Sequence, residues 1–362
     1  MNAPKIALVF DWLTSNGGAE QQLLALHELY PEAPIYTALY HAPAVPRFAK
    51  ATVIPSYLQK LPGASTRHQV MVPLMPQAFE SFDLKGYDLV FSIGQGLSKG
   101  IITQPGQPHV AYINTPPRYL WHLGEDNRNK GRLDSGLRAW AEHRLRIWDV
   151  VSAERPDSFY GNSQNVVNRI EKIYRRPAEI LFPPVDTNRF SLGTAKRGDF
   201  FLSVGRLIQY KRIDLIIEAC IKTRQPLKIV GKGPEEVRLR KLAQDAPWVE
   251  FLGFQSEEDL EKLYQTAKAF VFAAEEDFGI VPVEAMSAGC PVIAYGKGGV
   301  QETVVDGKTG TLFQEQTITC LAETLASFKP ENYAPETLRT QAEKFSTKLF
   351  KEHVSTIIAK HL

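Results

Sequence analysis

Long apolar runs are missing from this sequence: none approaches the roughly 18–20 residues that a membrane-spanning helix needs. The opening MNAPKIALVFDW is apolar for only five residues before Asp11 and reads as a first strand, not a signal peptide. Cysteine is scarce. Cys220, Cys290 and Cys320 are scattered, odd in number and without a C-x-x-C pair. They read as reduced, buried thiols in a cytoplasmic protein rather than a disulfide framework. The eight histidines contain no H-E-x-x-H, and no D-x-D occurs anywhere, so a metal-independent protein is expected. Charge of one sign is lacking too: a net +2 gives no argument for nucleic acid as a partner. Repeats, coiled coil and low-complexity tails are absent from the sequence.

What is present is ordinary in kind, with 44% apolar and 23% charged residues, as in a soluble globular enzyme. At 362 residues, two domains of about 150–200 are expected. Short apolar runs alternate with helical patterns. Strands are expected at 6–10, 35–38, 52–54, 88–93, 109–113 and 158–162, then at 200–204, 227–230, 249–252, 269–274 and 291–295. The prolines of 181–190 punctuate a linker. The expected class is α/β: two Rossmann-like, doubly wound parallel sheets facing a cleft. The domains would be 1–182 and 183–345, followed by a C-terminal helix, 346–362.

The stretch 269–300 carries the densest chemistry. An apolar strand leads to an acidic loop and a short helix, with Pro282 suited to the first helical position and Gly289 to the position past the last turn. A strand, loop and helix N-terminus present free N–H groups to an anion. Glu276 before the loop and Glu284 in the first helical turn flank that site. Carboxylates beside a diphosphate would grip hydroxyl groups on either side of it. The plainer alternative is that Glu284 favours a helix N-terminus and Glu276 is solvated. Arg206 and Lys211 follow another strand end and can neutralise a diphosphate, although loop cations are common.

In the first half, Gly17–Gly18 let a ligand approach the backbone or simply form a βα turn. Asn114 is the polar residue at the carboxyl end of the strand 109–113, and Arg118 and Tyr119 follow it. The loop G-Q-G-L-S-K-G (Gly94, Gly96, Gly100) is one residue off the dinucleotide fingerprint and lacks the acid some twenty residues on, so a nicotinamide site is rejected. The basic segment 127–148 places Leu133, Leu137, Trp140 and Trp148 near one face, among Arg132, Arg138, Arg144 and Arg146. It reads as a helix packed on the sheet, or as a contact for anionic lipid or a lipid-linked acceptor. The segment 57–72, with Lys60, Arg67 and His68, is a second candidate for that contact.

The run E-D-F-G-I-V-P-V-E-A-M-S-A-G-C-P-V-I-A resembles the donor-site signature of retaining glycosyltransferases of family GT4, which have the GT-B fold. G-R-L-x-x-x-K at Arg206 and Lys211 and P-P-V-D-x-x-x-F in the linker are similar to the same family. The resemblance implies a nucleotide-sugar donor with Arg206 and Lys211 on its phosphates, Glu284 on the ribose and Glu276 on the sugar. Backbone around Phe278, Gly279, Ile280 and Val281 would help, with Gly231 near the nucleotide and Gly253–Phe254 near its base. Gly17 and Gly18 would face the donor phosphates, and Gly18, Asn114 and Arg118 the acceptor. The catalytic set implied is Glu276, Arg206, Lys211 and Asn114, without cofactor or metal. Relatives often carry histidine at Asn114 and an acid at His122, which removes a proton shuttle here. D-W-L-x-x-x-G-G-A-E and N-T-P-P-R-Y-L-W look most like bacterial O-antigen mannosyltransferases. This implies GDP-mannose as donor and a lipid-linked or polysaccharide glycan as acceptor, at the inner face of the cytoplasmic membrane. A UDP-sugar transferase, a sugar-nucleotide epimerase and a non-catalytic nucleotide-sugar-binding protein are the alternatives.

Overall fold

A computed structural model describes residues 4–123, 135–193 and 196–362. The chain divides into two units, Met1–Pro184 with Lys348–Leu362, and Val185–Thr347. In the first, β1 (Ile6–Phe10), β2 (Ile35–Thr37), β3 (Val53–Pro55), β4 (Leu89–Gly94), β5 (His109–Ile113), β6 (Ser158–Gly161) and β7 (Glu179–Ile180) form one sheet. Its order is β3-β2-β1-β4-β5-β6-β7, and every pair is parallel. All five residues of β1 and all six of β4 are buried. A strand apolar on both sides needs cover on both sides, which is why such runs build parallel sheets. Ile6, Leu8 and Phe10 enter one core with Leu23 and Leu26 of helix α1 (Gly18–Leu29). Ala7 and Val9 enter the other, with Leu145 of α2 (Ser135–Ser152). Helix α3 (Gln164–Tyr174) covers the β5–β6 end through Val166 and Ile170.

The second sheet contains β8 (Phe201–Val204), β9 (Leu227–Val230), β10 (Val249–Gly253), β11 (Ala269–Phe272), β12 (Val292–Tyr295) and β13 (Gly310–Phe313). Its order is β10-β9-β8-β11-β12-β13, again parallel throughout. Helices α4 (Ile213–Thr223), α5 (Ile280–Ser287) and α6 (Ile318–Ser327) belong to this unit. The last helix, α7 (Thr347–His361), returns to the first unit, where Phe350, Val354 and Ile358 recur every four residues and enter its core. Each buried side chain contributes about 1.5–3 kcal/mol, enough to anchor the helix. Strands β7 and β13 have no counterpart in the sequence reading. The former is two exposed residues and the latter is only half-buried, so neither leaves a clear apolar signature. Two thiols are buried as expected, while Cys320 is only partly so.

The loop G-Q-G-L-S-K-G folds inward. Asp11 accepts the Ser98 N–H at 2.6 Å and also the Gln95 N–H. Lys99 is fully buried, donating to the Gly96 carbonyl at 2.8 Å and to Asp149 at 2.5 Å. Trp121 and Tyr174 complete the Asp149 carboxylate. A buried cation needs this degree of pairing. The cluster ties α2 to the loop after β4.

Candidate functional site

The connections after β8 and β11 leave the second sheet toward opposite neighbours, so a crevice opens outside their carboxyl ends. The segment after β8 carries Arg206 and, at the end of a 3-10 turn Gln209–Lys211, Lys211. The segment after β11 carries Glu276. Lys211 and Glu276 meet across the crevice as an ion pair, with side chains 13% and 17% exposed. The Lys211 ammonium also lies 5.4 Å from the centre of the Phe272 ring. Arg206 is exposed, and its guanidinium has no ion-pair partner among the described residues.

Gly231 and Gly253 sit on the same edge. The Gly231 N–H donates to the Gly253 carbonyl at 2.7 Å. A Cβ on Gly231 would stand 1.9 Å from the Gly205 carbonyl oxygen, so only glycine allows these strand ends to pack. Phe254 follows, 82% exposed, beside this edge.

The Glu276 loop is held from behind. Gly299 donates to the Glu276 carbonyl at 2.9 Å, and a Cβ on Gly298 would lie 2.2 Å from that oxygen. Gly279, at φ +86°, is the N-cap of α5 and has no side-chain cap. Ile280 and Val281 are therefore the first two helical residues, whose N–H groups lack intrahelical acceptors. Pro282 is the third helical residue and not the first, because the left-handed glycine starts the helix two residues earlier than its proline suggests. The Phe278 ring is buried edge-on against Phe345 at 5.5 Å, leaving its backbone as the part nearest the loop.

Glu284 lies in the second turn of α5, not the first. Its carboxylate accepts a hydrogen bond from Arg189 at 3.1 Å, while Arg189 also pairs with Glu257 at 2.9 Å. Burial raises the Glu284 pKa, and the Arg189 charge works against that rise. Arg189 was legible only as a linker residue; nothing local in the sequence marks its partner.

On the first unit, Gly17 is the N-cap of α1 and Gly18 its first residue. Glu20, at the third helical position, accepts from Ser15 Oγ at 3.1 Å and from the Gly17 N–H. This is half of a capping box, a signal present in G-G-A-E. A carboxylate thus already occupies that helix N-terminus, and burial raises its pKa. Asn114 donates its N–H to the Gly94 carbonyl at 2.8 Å. Its side-chain oxygen accepts from Asn162 at 3.5 Å, and its Nδ2 is buried without a partner among the described residues. Arg118 opens the short helix Arg118–Trp121. Gly17, Gly18, Asn114 and Arg118 therefore share the carboxyl edge of the first sheet, and the other expected residues share that of the second.

Of the basic segment, Arg132, Leu133 and the side chain of Leu137 lie outside the described residues. Trp140 and Trp148 do not share a face. Trp148 donates to Glu80 at 2.8 Å and packs inward, whereas Trp140 is 59% exposed under the Arg144 guanidinium. Eight residues turn a helix by about 80° beyond two full turns, which separates them. Ile147 and Val151 continue the exposed face below Trp140. Tyr57, Leu61 and Val70 are exposed in the second basic segment. No helix among the described residues is long and apolar enough to cross a membrane. No cluster of three metal-ligating side chains occurs among them either.

Residues 184–345 match the family model described as Glycosyl transferases group 1. A GDP-mannose-dependent alpha-(1-6)-phosphatidylinositol monomannoside mannosyltransferase of Mycobacterium tuberculosis is 33% identical over 175 residues, 41% of this chain and 46% of that protein. A D-inositol 3-phosphate glycosyltransferase of Mycobacterium leprae is 31% identical over 196 residues, 48% of this chain and 46% of that protein. The chain thus spans just under half the length of these relatives. HepE of Anabaena, solved with UDP and glucose, superposes with a TM-score of 0.71 at 18% identity, covering 99% of this chain and 100% of that one. That likeness shows the fold, which is GT-B.

Proposed function

We propose that this chain, whose residues 184–345 match the group 1 glycosyltransferase family model, is a retaining, metal-independent hexosyltransferase with GDP-mannose as its donor. The observation that carries the reading is the Lys211–Glu276 pair at the switch point between β8 and β11, with Arg206, exposed and without an ion-pair partner among the described residues, in the same segment after β8. Two cations there suit a diphosphate, and the carboxylate suits the hydroxyls of the sugar attached to it. Glu284 would hold the ribose, after yielding or sharing Arg189, and Phe254 would meet the base. In the reaction, the bond from the anomeric carbon to the diphosphate oxygen breaks. The acceptor hydroxyl oxygen bonds to the same face of that carbon, and its proton passes to the departing phosphate. Asn114 can orient a hydroxyl but cannot take its proton near neutral pH.

GDP-mannose is supported by the GDP-mannose-dependent mycobacterial relative, and a lipid-linked or polysaccharide glycan is the acceptor proposed with it. The exposed face of Trp140, Ile147 and Val151 supports contact with an anionic membrane, from the cytoplasmic side. The complex of HepE with UDP and glucose favours a second reading in which the donor is a UDP-sugar. Thermal melting with GDP, UDP, ADP and their sugar conjugates, without added metal, tests both. A saturating ligand adds a few kcal/mol, or several degrees. Selective response to GDP and GDP-mannose supports the first reading, a UDP-selective response the second. Silence toward all of them overturns the donor site.

A further inference from the structure

We propose that Gln316 is a positioning residue for the Lys211–Glu276 pair, through a strut that joins the two backbone segments carrying them. The inference rests on the transferase reading of that pair. Gln316 lies between β13 and α6, in none of the family patterns. Its Nε2 donates to the Ala273 carbonyl at 2.7 Å, at the carboxyl end of β11 and three residues before Glu276. Its Oε1 accepts from Arg212 Nη1 at 2.8 Å, and Arg212 directly follows Lys211. Both ends of one amide are therefore used, in the only orientation that satisfies a carbonyl and a guanidinium together. A carboxylate of the same length could take the guanidinium but would face the carbonyl with no proton to donate.

A second observation lies at the other end of the strut. Arg212 has φ 52° and ψ 38°, a left-handed conformation that is costly for a side-chain-bearing residue. Such a residue persists only where its surroundings over-determine it. Here they do: Arg212 is held by Gln316 and by Asp214 at 3.3 Å, and its N–H closes the turn on Gln209. The strained residue sits immediately after the lysine whose ammonium reaches the carboxylate. The chain from Lys211 through Arg212, Gln316 and Ala273 to Glu276 thus closes a ring, with the ion pair as one side and the amide strut as the opposite one.

The consequence concerns the exchange of partners on donor binding. When a diphosphate takes the Lys211 ammonium, the ion pair no longer sets the distance between the two segments. The Gln316 strut remains, so the lysine swings to the phosphate and the carboxylate turns to the sugar from fixed backbone positions. A long lysine can still find a phosphate from a loosened turn, which leaves donor affinity nearly intact. The relative placement of cation and carboxylate in the transition state is what suffers.

The test compares wild type with Gln316→Leu, Gln316→Glu, Arg212→Met and the double variant Gln316→Leu/Arg212→Met. Steady-state release of nucleoside diphosphate is measured on the donor that wild type turns over, and backbone hydrogen exchange is followed across 209–212. The expected result is a loss of kcat of roughly ten- to hundredfold, the scale that small misplacements cause. Donor KM should stay within about threefold, exchange at 209–212 should quicken, and the double variant should fall no further than the worse single one. Gln316→Glu, which keeps the volume and the guanidinium tie, should fall with Gln316→Leu; it also serves if the leucine variant does not fold. A kcat within about twofold of wild type, KM rising in step with the loss, unchanged exchange, or multiplying effects in the double variant would each overturn the inference alone. Wild type that neither binds nor releases any nucleoside diphosphate overturns the transferase reading, and the inference with it.

Discussion

Donor binding should dissolve the energetic link between Lys211 and Glu276, and a double-mutant cycle can measure that link. Removing one partner of a fully buried ion pair costs about 3–5 kcal/mol, whereas exposed pairs are worth about 0–1 kcal/mol. With side chains 13% and 17% exposed at an open edge, this pair falls between, and a coupling of about 1–2 kcal/mol is expected. The variants Lys211→Met, Glu276→Gln and their combination are unfolded by denaturant, with and without a saturating nucleoside diphosphate. Without ligand, each single variant should lose stability through its stranded partner, and the double variant should recover part of it. For a unit of this size, about 1 kcal/mol moves melting by about 2–4 °C. With ligand, the coupling should fall toward zero, because the ammonium then serves the phosphate. Lys211→Met should also cost about 10²–10³ in kcat, as loss of a preorganised stabilising group does. The same coupling with and without ligand, together with unweakened nucleotide binding by Lys211→Met, would refute the exchange.

Three further outcomes follow from the geometry. Gly298→Ala should lower turnover and stability together, since its Cβ would stand 2.2 Å from the Glu276 carbonyl at φ +74°; kinetics and melting check it, and Gly307→Ala, at φ +71° with nothing within 4 Å of its Cβ, controls for the backbone strain alone. Asp11 should titrate near 6 in the folded protein, up from 3.8, because burial outweighs its two N–H partners. Its raised pKa means that its contribution is complete below about pH 4 and lost as pH rises through 6, a change of about 3 kcal/mol; denaturant titrations across that range should show the slope, and Asp11→Asn should flatten it. Trp140→Ser with Ile147→Ser should abolish flotation with anionic vesicles while leaving melting within about 1 °C, because exposed positions carry little stability; equal flotation would remove α2 from the membrane contact.

Much of this protein is legible before folding. Most strands of both sheets are apolar runs whose burial on two faces requires helices between them, and hydrophobic spacing is a local property. Glycine and proline mark the turns, and the paired acids and cations stand in recognisable strings. The misplacements are small where the chemistry is local, as with Pro282 at the third helical position instead of the first. They are larger where orientation depends on a neighbour: Trp148 turns inward because Glu80 and the first core receive it, and Trp140 has no such receiver and faces out. By itself, then, the sequence determined the two-sheet class, the order of elements and the residue types at each strand end. Tertiary structure alone decided the partners. Lys211 meets Glu276 because β8 and β11 are neighbours in the sheet though far apart in the chain, and Arg189 reaches Glu284 across 95 positions. Coulomb attraction acts over a few ångströms of space, and sheet order, which no local pattern spells out, sets which charges come that close.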